Sequence, residues 1–454
     1  MKGKGTEENK GGPLWSVLQK VEGDKVILII ILLLLLVSFL AIFSSTPMLP
    51  TQDTRLETMT EHGIVALLGI GIMFVLYHIN IEWWKWLARI GFIGSAGLLI
   101  LLICEIDFGF IRTQSLNGAV RNFIIGGFQV HVFEIVKVWM IMYLAWAMNA
   151  MKEEKTGGKK MQVAEFLTDR FKWMEFLKTP FWRRAFYIYC PTLIVGMLIF
   201  FGSGSSAVFV SVILIATMLL GDIPFRDIFL AFLAAAAIFM GMVAIHKISN
   251  GKLIGRVGTM ISRMKADYDI DRLEGLEGDE YRNMVDTLSQ PVSALIAVHE
   301  GGVIGKGIGN STQKYRVQNI YGDYMYSFIV EEYGLLGGIA ILILYVSLLA
   351  RSSIIARMCS NNFAKYILGG MSILITGQAF MHILVNVDIG PMTGQTLPLI
   401  SHGASAFVIF CVAFGLILSV SRMAKKKMEK VEILTQENVN NIEENIEKAA
   451  KIKD

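Results

Sequence analysis

Residues 320–334 read IYGDYMYSFIVEEYG, an aspartate at the mouth of an apolar run with two glutamates about two turns further in. Carboxylates are costly at membrane depth, so three of them in one short stretch point to work beyond solubility. Asp323 stands among Tyr321, Tyr324 and Tyr326 where a polar segment enters the run. Partial desolvation favours a carboxylate's neutral form and suits it to general-base work. On a helix Glu331 falls within roughly 80° of the same face and about 12 Å deeper, while Glu332 points the other way. Two readings stand open for this stretch: groups lining a cavity, or interfacial solvation for Asp323 with helix-packing hydrogen bonds for the glutamates.

Other polar residues interrupt apolar surroundings. Glu134 and Lys137 form an i,i+3 pair at the start of an apolar segment, a spacing at which opposite charges neutralise one another in a structural ion pair or line a cavity. Arg121, within NGAVRNF (117–123), is placed to meet an anionic ligand. The stretch GGVIGKGIGNSTQK (301–314) lacks the GK[ST] ending and strand–helix context of a nucleotide-binding loop. Its glycines still allow backbone to approach a lipid-linked pyrophosphate, with Lys306 and Lys314 supplying charge. NVDIGPMTGQTLPLISHGAS (386–405) combines helix-breaking Pro391, Gly394, Pro398 and Gly403 with polar Asn386, Asp388, Thr393, Gln395, Ser401 and His402. Non-helical backbone at this depth requires cover from protein or a water-filled cavity, so a cavity opening there is expected. For His382 and His402 a hydrogen-bonded packing role outweighs metal ligation.

The elements that must position these groups follow from composition. Of 454 residues 54% are hydrophobic and 18% charged, with net charge +4, and the mean hydropathy is +0.54. Runs such as VILIIILLLLLVSFLAIF (26–43) are long enough to cross a hydrocarbon core, and too long for a cleavable signal. The pattern predicts an all-α polytopic membrane protein of about ten transmembrane helices: 26–45, 63–79, 89–105, 130–150, 185–201, 206–220, 228–247, 325–350, 363–385 and 403–421. Lysine and arginine concentrate in the N-terminal arm 1–25, in 151–184, at Arg351 and Arg357, and in SRMAKKKMEK at 421–430. With an even number of spans these share one side, the cytoplasm, along with both termini. A large outer loop, 248–324, then joins helices seven and eight on the opposite face. The chain divides into the arm 1–25, a membrane domain 26–422, and a polar tail 423–454, where Val439, Ile442, Ile446 and Ala449 at helical spacing suggest a solvated helix. Cys104, Cys190, Cys359 and Cys411 lack the spacing of a metal cage or disulfide framework.

Taken together, GGVIGKGIGNSTQK, the aspartate leading into EEYGLLGG, and NVDIGPMTGQTLPLISHGAS resemble the SEDS family of ten-span bacterial peptidoglycan glycosyltransferases. The resemblance covers about residues 90–422, and TGQTLPLIS is closer to the cell-division branch than to the elongation branch. It implies that Asp323 is the catalytic residue, that NGAVR and Glu134/Lys137 occupy two further motifs, and that the active site is extracytoplasmic in the bacterial inner membrane. The substrate implied is lipid II and the undecaprenyl-pyrophosphate glycan chain, bound by Arg121, Lys306, Lys314, Gln313, Asn386, Thr393 and Ser401 in this reading. A divalent cation, Mg or Mn, would assist the departing pyrophosphate, with the metal's identity unknown and no organic cofactor. The partners implied are a class B penicillin-binding protein transpeptidase, other divisome proteins and membrane lipid, with no nucleic acid. The sequence departs from the family at HVFE (131–134), which loses a proline, at GSGSSAV (202–208), which lacks an aspartate, and at GAS (403–405). A lipid II flippase, an elongation-type polymerase and a division scaffold are the alternatives.

Overall fold

The computed structural model describes residues 22–46, 54–107, 109, 111–116, 119–157, 161–248, 278–317, 320–390 and 394–451. Its helices are α1 (Lys25–Ser45), α2 (Thr54–His78), α3 (Ile81–Arg89), α4 (Gly91–Ile103) and α5 (Val132–Lys155), then α6 (Gln162–Arg170) and α7 (Pro180–Gly202). After these come α8 (Gly204–Leu220), α9 (Phe225–Ile248), α10 (Gly278–Gly301), α11 (Met325–Met358), α12 (Asn362–Asn386) and α13 (Ala404–Lys451). Among the described residues eight helices are long and apolar enough to cross a membrane. The pair α3–α4, bent by 51°, makes a ninth if it is one span, and α8 is a shorter apolar helix. The chain is a multi-pass helical membrane protein.

Burial orders the bundle. The apolar windows of α5 and α13 are 83% and 72% buried, whereas that of α9 is 6% buried. α5, α12 and α13 therefore form the centre, and α9 lies at the edge with its apolar side chains facing outward, as lipid contact requires. α1 begins at Asp24, whose side chain caps the helix by accepting from the Val26 and Ile27 N–H groups.

The bundle has two distinct ends. At one, Arg351 pairs with Asp24 (2.6 Å), Lys85 with Glu153 (2.9 Å) and Arg184 with Asp227 (2.5 Å). At the other, His131 N–H donates to Ser405 Oγ (3.1 Å) and Ser44 Oγ donates to Glu332 (2.7 Å). α5 runs between them, about 36 Å for its length.

The helical bundle carries one small sheet besides. The chain is not wholly α: β1 (Ile111–Leu116), β2 (Ala119–Ile125) and β3 (Phe128–His131) form an antiparallel sheet in that order. Its cause is local. Gly126 and Gly127 take φ of 57° and 90° in a two-residue turn, a backbone that matches strand twist and is open to glycine. Asn122 consequently pairs with His131. The sheet fills what otherwise reads as a plain loop and leads directly into α5.

α11 carries the second surprise. Gly334 has φ 71° and ψ −177°, so the helix breaks there and resumes. The large loop's residues 249–277 and 318–319 lie outside the described residues, but its glycine-rich part lies against this break.

Candidate functional site

Asp323 sits two residues before α11, partly exposed, in a turn whose backbone is held from below. Asn386 Nδ2 donates to the Asp323 carbonyl (3.0 Å), while Asn386 Oδ1 accepts from Ser327 N–H (2.9 Å) and Ser327 Oγ (2.9 Å). Ser401 Oγ donates to the Gly322 carbonyl (2.7 Å), and His402 N–H donates to Tyr321 O (2.8 Å). The end of α12 and the loop after it thus clamp residues 321–327. On the open side is Gly394, where a β-carbon would lie 3.8 Å from Asp323 Oδ2.

Asn386 and Ser401 are 1% and 3% exposed, with polar atoms directed at backbone. The sequence reading names both as substrate ligands; in the structure they hold the backbone around Asp323. Thr393 and the side chain of Arg121 lie outside the described residues; the Arg121 backbone is in β2.

The loop bearing Gly394 is itself fixed. Lys137 Nζ, 1% exposed, donates to Glu134 (2.6 Å), Gln378 Oε1 (2.6 Å) and Gln395 Oε1 (2.8 Å), so three donors meet three acceptors. Gln395 Nε2 donates to Ser206 Oγ (3.3 Å), in the stretch that lacks the family's aspartate. His382 Nε2 accepts from Tyr326 N–H (3.3 Å), leaving Nδ1 as the donor to Gln395 O (2.7 Å). Glu134 and Lys137 form the ion pair that their spacing suggested, and it reaches the Asp323 platform through Gln395 and His382. Gln378, the element of this relay that the sequence reading omitted, stands four residues before His382 on the same helix face.

Glu331 and Glu332 are buried, and both face the glycine-rich loop, contrary to the expected divergence. Glu331 accepts from Lys306 Nζ (2.8 Å), Ser311 Oγ (2.6 Å) and Thr312 N–H (2.8 Å). Glu332 accepts from Ser44 Oγ and from Gly309 N–H (3.0 Å). The break in α11 leaves helix backbone groups without their usual partners, and the same loop supplies them. Lys306 N–H donates to Glu331 O (2.9 Å), Gly307 N–H to Glu332 O (3.0 Å), and Leu335 N–H to Gly302 O (2.9 Å). The loop cradles anions, as its composition suggested, but the anions are the protein's own.

Lys306 and Lys314, read from sequence as substrate ligands, are both engaged by the protein itself in this structure. Lys306 pairs with Glu300 and Glu331; burial opposes its charge, but the two carboxylates outweigh that and raise its pKa above the usual lysine value. Lys314, 4% exposed, donates to Gly309 O (2.8 Å) and Ser44 O (3.2 Å). Gln313 is likewise buried, with Oε1 lacking a partner among the described residues. No three His, Cys, Asp or Glu side chains among the described residues converge to hold a metal ion.

Fold and site together define a multi-pass membrane protein with a carboxylate mounted at one end of the bundle on a braced, water-accessible platform. The chain belongs to the cell cycle protein family FTSW_RODA_SPOVE, whose model matches residues 24–426, the SEDS family that its motifs resemble. It is 28% identical over 369 residues to a probable peptidoglycan glycosyltransferase FtsW of Pseudomonas fluorescens (strain SBW25), covering 80% of this chain and 79% of that protein. To stage V sporulation protein E of Bacillus subtilis (strain 168) it is 24% identical over 415 residues, covering 90% and 99%. Its fold is shared with a chain of a peptidoglycan synthase complex that coordinates polymerization and crosslinking (TM-score 0.61, 19% identity, 88% and 98% covered). It is also shared with rod shape determining protein RodA of Thermus thermophilus (TM-score 0.57, 19% identity, 89% and 98% covered).

Proposed function

We propose that this protein is a peptidoglycan glycosyltransferase that polymerises lipid II into glycan strands for septal wall synthesis, with Asp323 as its general base. The relatives named FtsW support the reaction class. The observation that carries the reading is the mounting of Asp323, a partly exposed carboxylate whose flanking backbone is fixed by buried Asn386 and Ser401. A base on such a platform is pre-positioned for an incoming hydroxyl, and orientation of this kind is a major source of rate.

In this mechanism the Asp323 carboxylate accepts the proton of the acceptor sugar's 4-hydroxyl as that oxygen attacks the anomeric carbon of the growing chain. The bond from that carbon to the pyrophosphate oxygen breaks, and undecaprenyl pyrophosphate leaves with the electron pair. Arg121, in the adjoining sheet, is the proposed partner of the leaving charge; Lys306 and Lys314 are committed elsewhere. No step runs through a cation.

The end of the bundle opposite Asp323 carries Lys152, Lys155, Arg183, Arg184, Arg351 and Lys425–Lys427. The positive-inside rule supports a cytoplasmic reading of that end, and with it an extracytoplasmic reading of Asp323, the face where wall polymer is made. A class B penicillin-binding transpeptidase is the proposed partner, in keeping with the synthase complex whose fold the chain shares.

The test is polymerisation of purified lipid II in detergent with moenomycin present to silence classical glycosyltransferases. Wild-type protein is expected to form glycan polymer and Asp323→Asn to lose at least about a hundredfold in rate while still binding lipid II. Undiminished polymerisation by Asp323→Asn would sink the mechanism. Detergent has no second compartment, so polymer formation also separates this reading from a flippase.

A further inference from the structure

The end of the bundle remote from Asp323 holds a cavity that the proposed reaction does not use. It has a volume of about 360 Å³ and lies between the C-terminus of α5, the start of α7 and the turn 221–224. That is within the range of small-molecule sites. Met148 and Met151 contribute apolar wall, and Lys152, Lys155, Lys178, Arg183 and Arg184 line it alongside only two carboxylates, Glu154 and Asp222.

The two arginines are held in place rather than waving in solvent. Arg183 pairs with Glu154 at 2.6 Å and is 20% exposed; Arg184 grips Asp227 through Nε (2.8 Å) and a terminal nitrogen (2.5 Å). Arg183 Nε is nevertheless buried and without a hydrogen-bond partner among the described residues. Lys152 and Lys178 form exposed pairs with Asp222 (3.6 Å) and Glu175 (3.1 Å); planar guanidinium forks and ammonium groups together suit a phosphate oxygen set.

The surroundings say which phosphate. The chain leading into the cavity, 162–184, exposes Phe166 (66%), Trp173 (73%) and Trp182 (49%) between Arg170, Lys172 and Lys178. Exposed aromatic rings alternating with cations are the composition of a segment lying at headgroup depth. The cavity therefore opens where lipid phosphates are concentrated. Basic pockets between membrane helices on the cytoplasmic side recognise anionic headgroups in this way.

We propose that this pocket binds the phosphate headgroup of an anionic phospholipid of the surrounding leaflet, with Arg183, Lys155 and Lys178 as its cationic contacts. The acyl chains would run along the exposed aromatic surface. The inference rests on the cavity and its charges and is independent of the glycosyltransferase reading.

Native mass spectrometry of the full chain in detergent, titrated with phosphatidylglycerol, measures it directly. The comparison variant is Lys155→Gln/Lys178→Gln, both exposed residues whose loss leaves the Arg183–Glu154 and Arg184–Asp227 pairs intact, with an unchanged melting temperature as the check on folding. Phosphatidylglycerol is expected to bind the wild type and to bind the double variant about thirtyfold more weakly, each basic side chain near an anionic headgroup being worth roughly fivefold. Equal binding to both proteins, equal binding of phosphatidylcholine, or displacement by millimolar inorganic phosphate would each overturn the assignment.

Discussion

At the scale of single residues, the site depends on charges whose partners are distant in sequence. Lys137 is buried and satisfies Glu134, Gln378 and Gln395 together. Lys137→Met removes the one cation of that cluster and strands Glu134, so it should cost about 3 kcal/mol or more, read as a lowered melting temperature in detergent. Because Gln395 is one residue from Gly394, the same variant should also slow polymerisation. Gly394→Ala probes the other side of the same spot. Its φ of +60° is strained for alanine, and the new methyl would stand 3.8 Å from Asp323 Oδ2. A loss of about tenfold in kcat/KM is expected with only a small change in melting temperature; a large thermal loss with normal kinetics would assign Gly394 to stability alone. Asp323 and the Glu134/Lys137 pair were legible because an ionisable residue in an apolar run is costly enough to need a reason. Gln378 and Ser206 were not, since their roles exist only after α5, α8, α12 and the last loop come together. The Lys306–Glu331 pair was not legible either: a glycine-rich loop with a lysine is competent to hold an anion, and composition cannot say that Glu331 is one it meets.

At the scale of elements, the break in α11 and the loop at 301–314 are one unit. A β-carbon on Gly334 would meet Val303 O at 2.2 Å, and one on Gly305 would meet Glu332 O at 2.3 Å. Neither obstacle is a side-chain end that could swing away. Gly334→Ala adds positive-φ strain to that collision, so a loss of at least about 2 kcal/mol is expected, visible as reduced monodisperse yield on size exclusion. The repeated glycines of the loop were legible as a call for close backbone approach, and the Gly126–Gly127 hairpin carried an equally clear turn signal that the long apolar runs overshadowed. The loop after α12 has a pH dependence of its own. Burial lowers the pKa of His402, with Glu61 opposing, and its ring sits 5.5 Å from that of Tyr321. A histidine with a depressed folded pKa favours the folded state above its unfolded value, about 6.5. That contribution is lost as pH falls through the folded value. Melting temperatures taken from about pH 8 to pH 5 should therefore drop on the acidic side, and His402→Gln should flatten the drop.

At the scale of the whole molecule, function turns on which end of the bundle faces the cell exterior. The periodic apolar runs were enough to read a polytopic helical fold, because that follows from the energetics of single segments in a bilayer, and the basic loops are what the proposed orientation rests on. The pairing of ends follows from contacts instead: Asp24 with Arg351 at one, Ser44 with Glu332 at the other. Gln129, exposed on β3, belongs to the Asp323 end, and Glu175, exposed between α6 and α7, belongs to the basic end. In a background where the exposed Cys104 and Cys190 are changed to serine, Gln129→Cys should react with a membrane-impermeant maleimide on intact cells freed of their outer barrier. Glu175→Cys should react only after the membrane is opened. The buried Cys411 and half-buried Cys359 contribute little background, since partial burial pushes the Cys359 thiol up to about 11, against the opposing charge of Lys365. The opposite labelling pattern would turn Asp323 toward the cytoplasm, where a base for extending an external glycan has no acceptor to deprotonate.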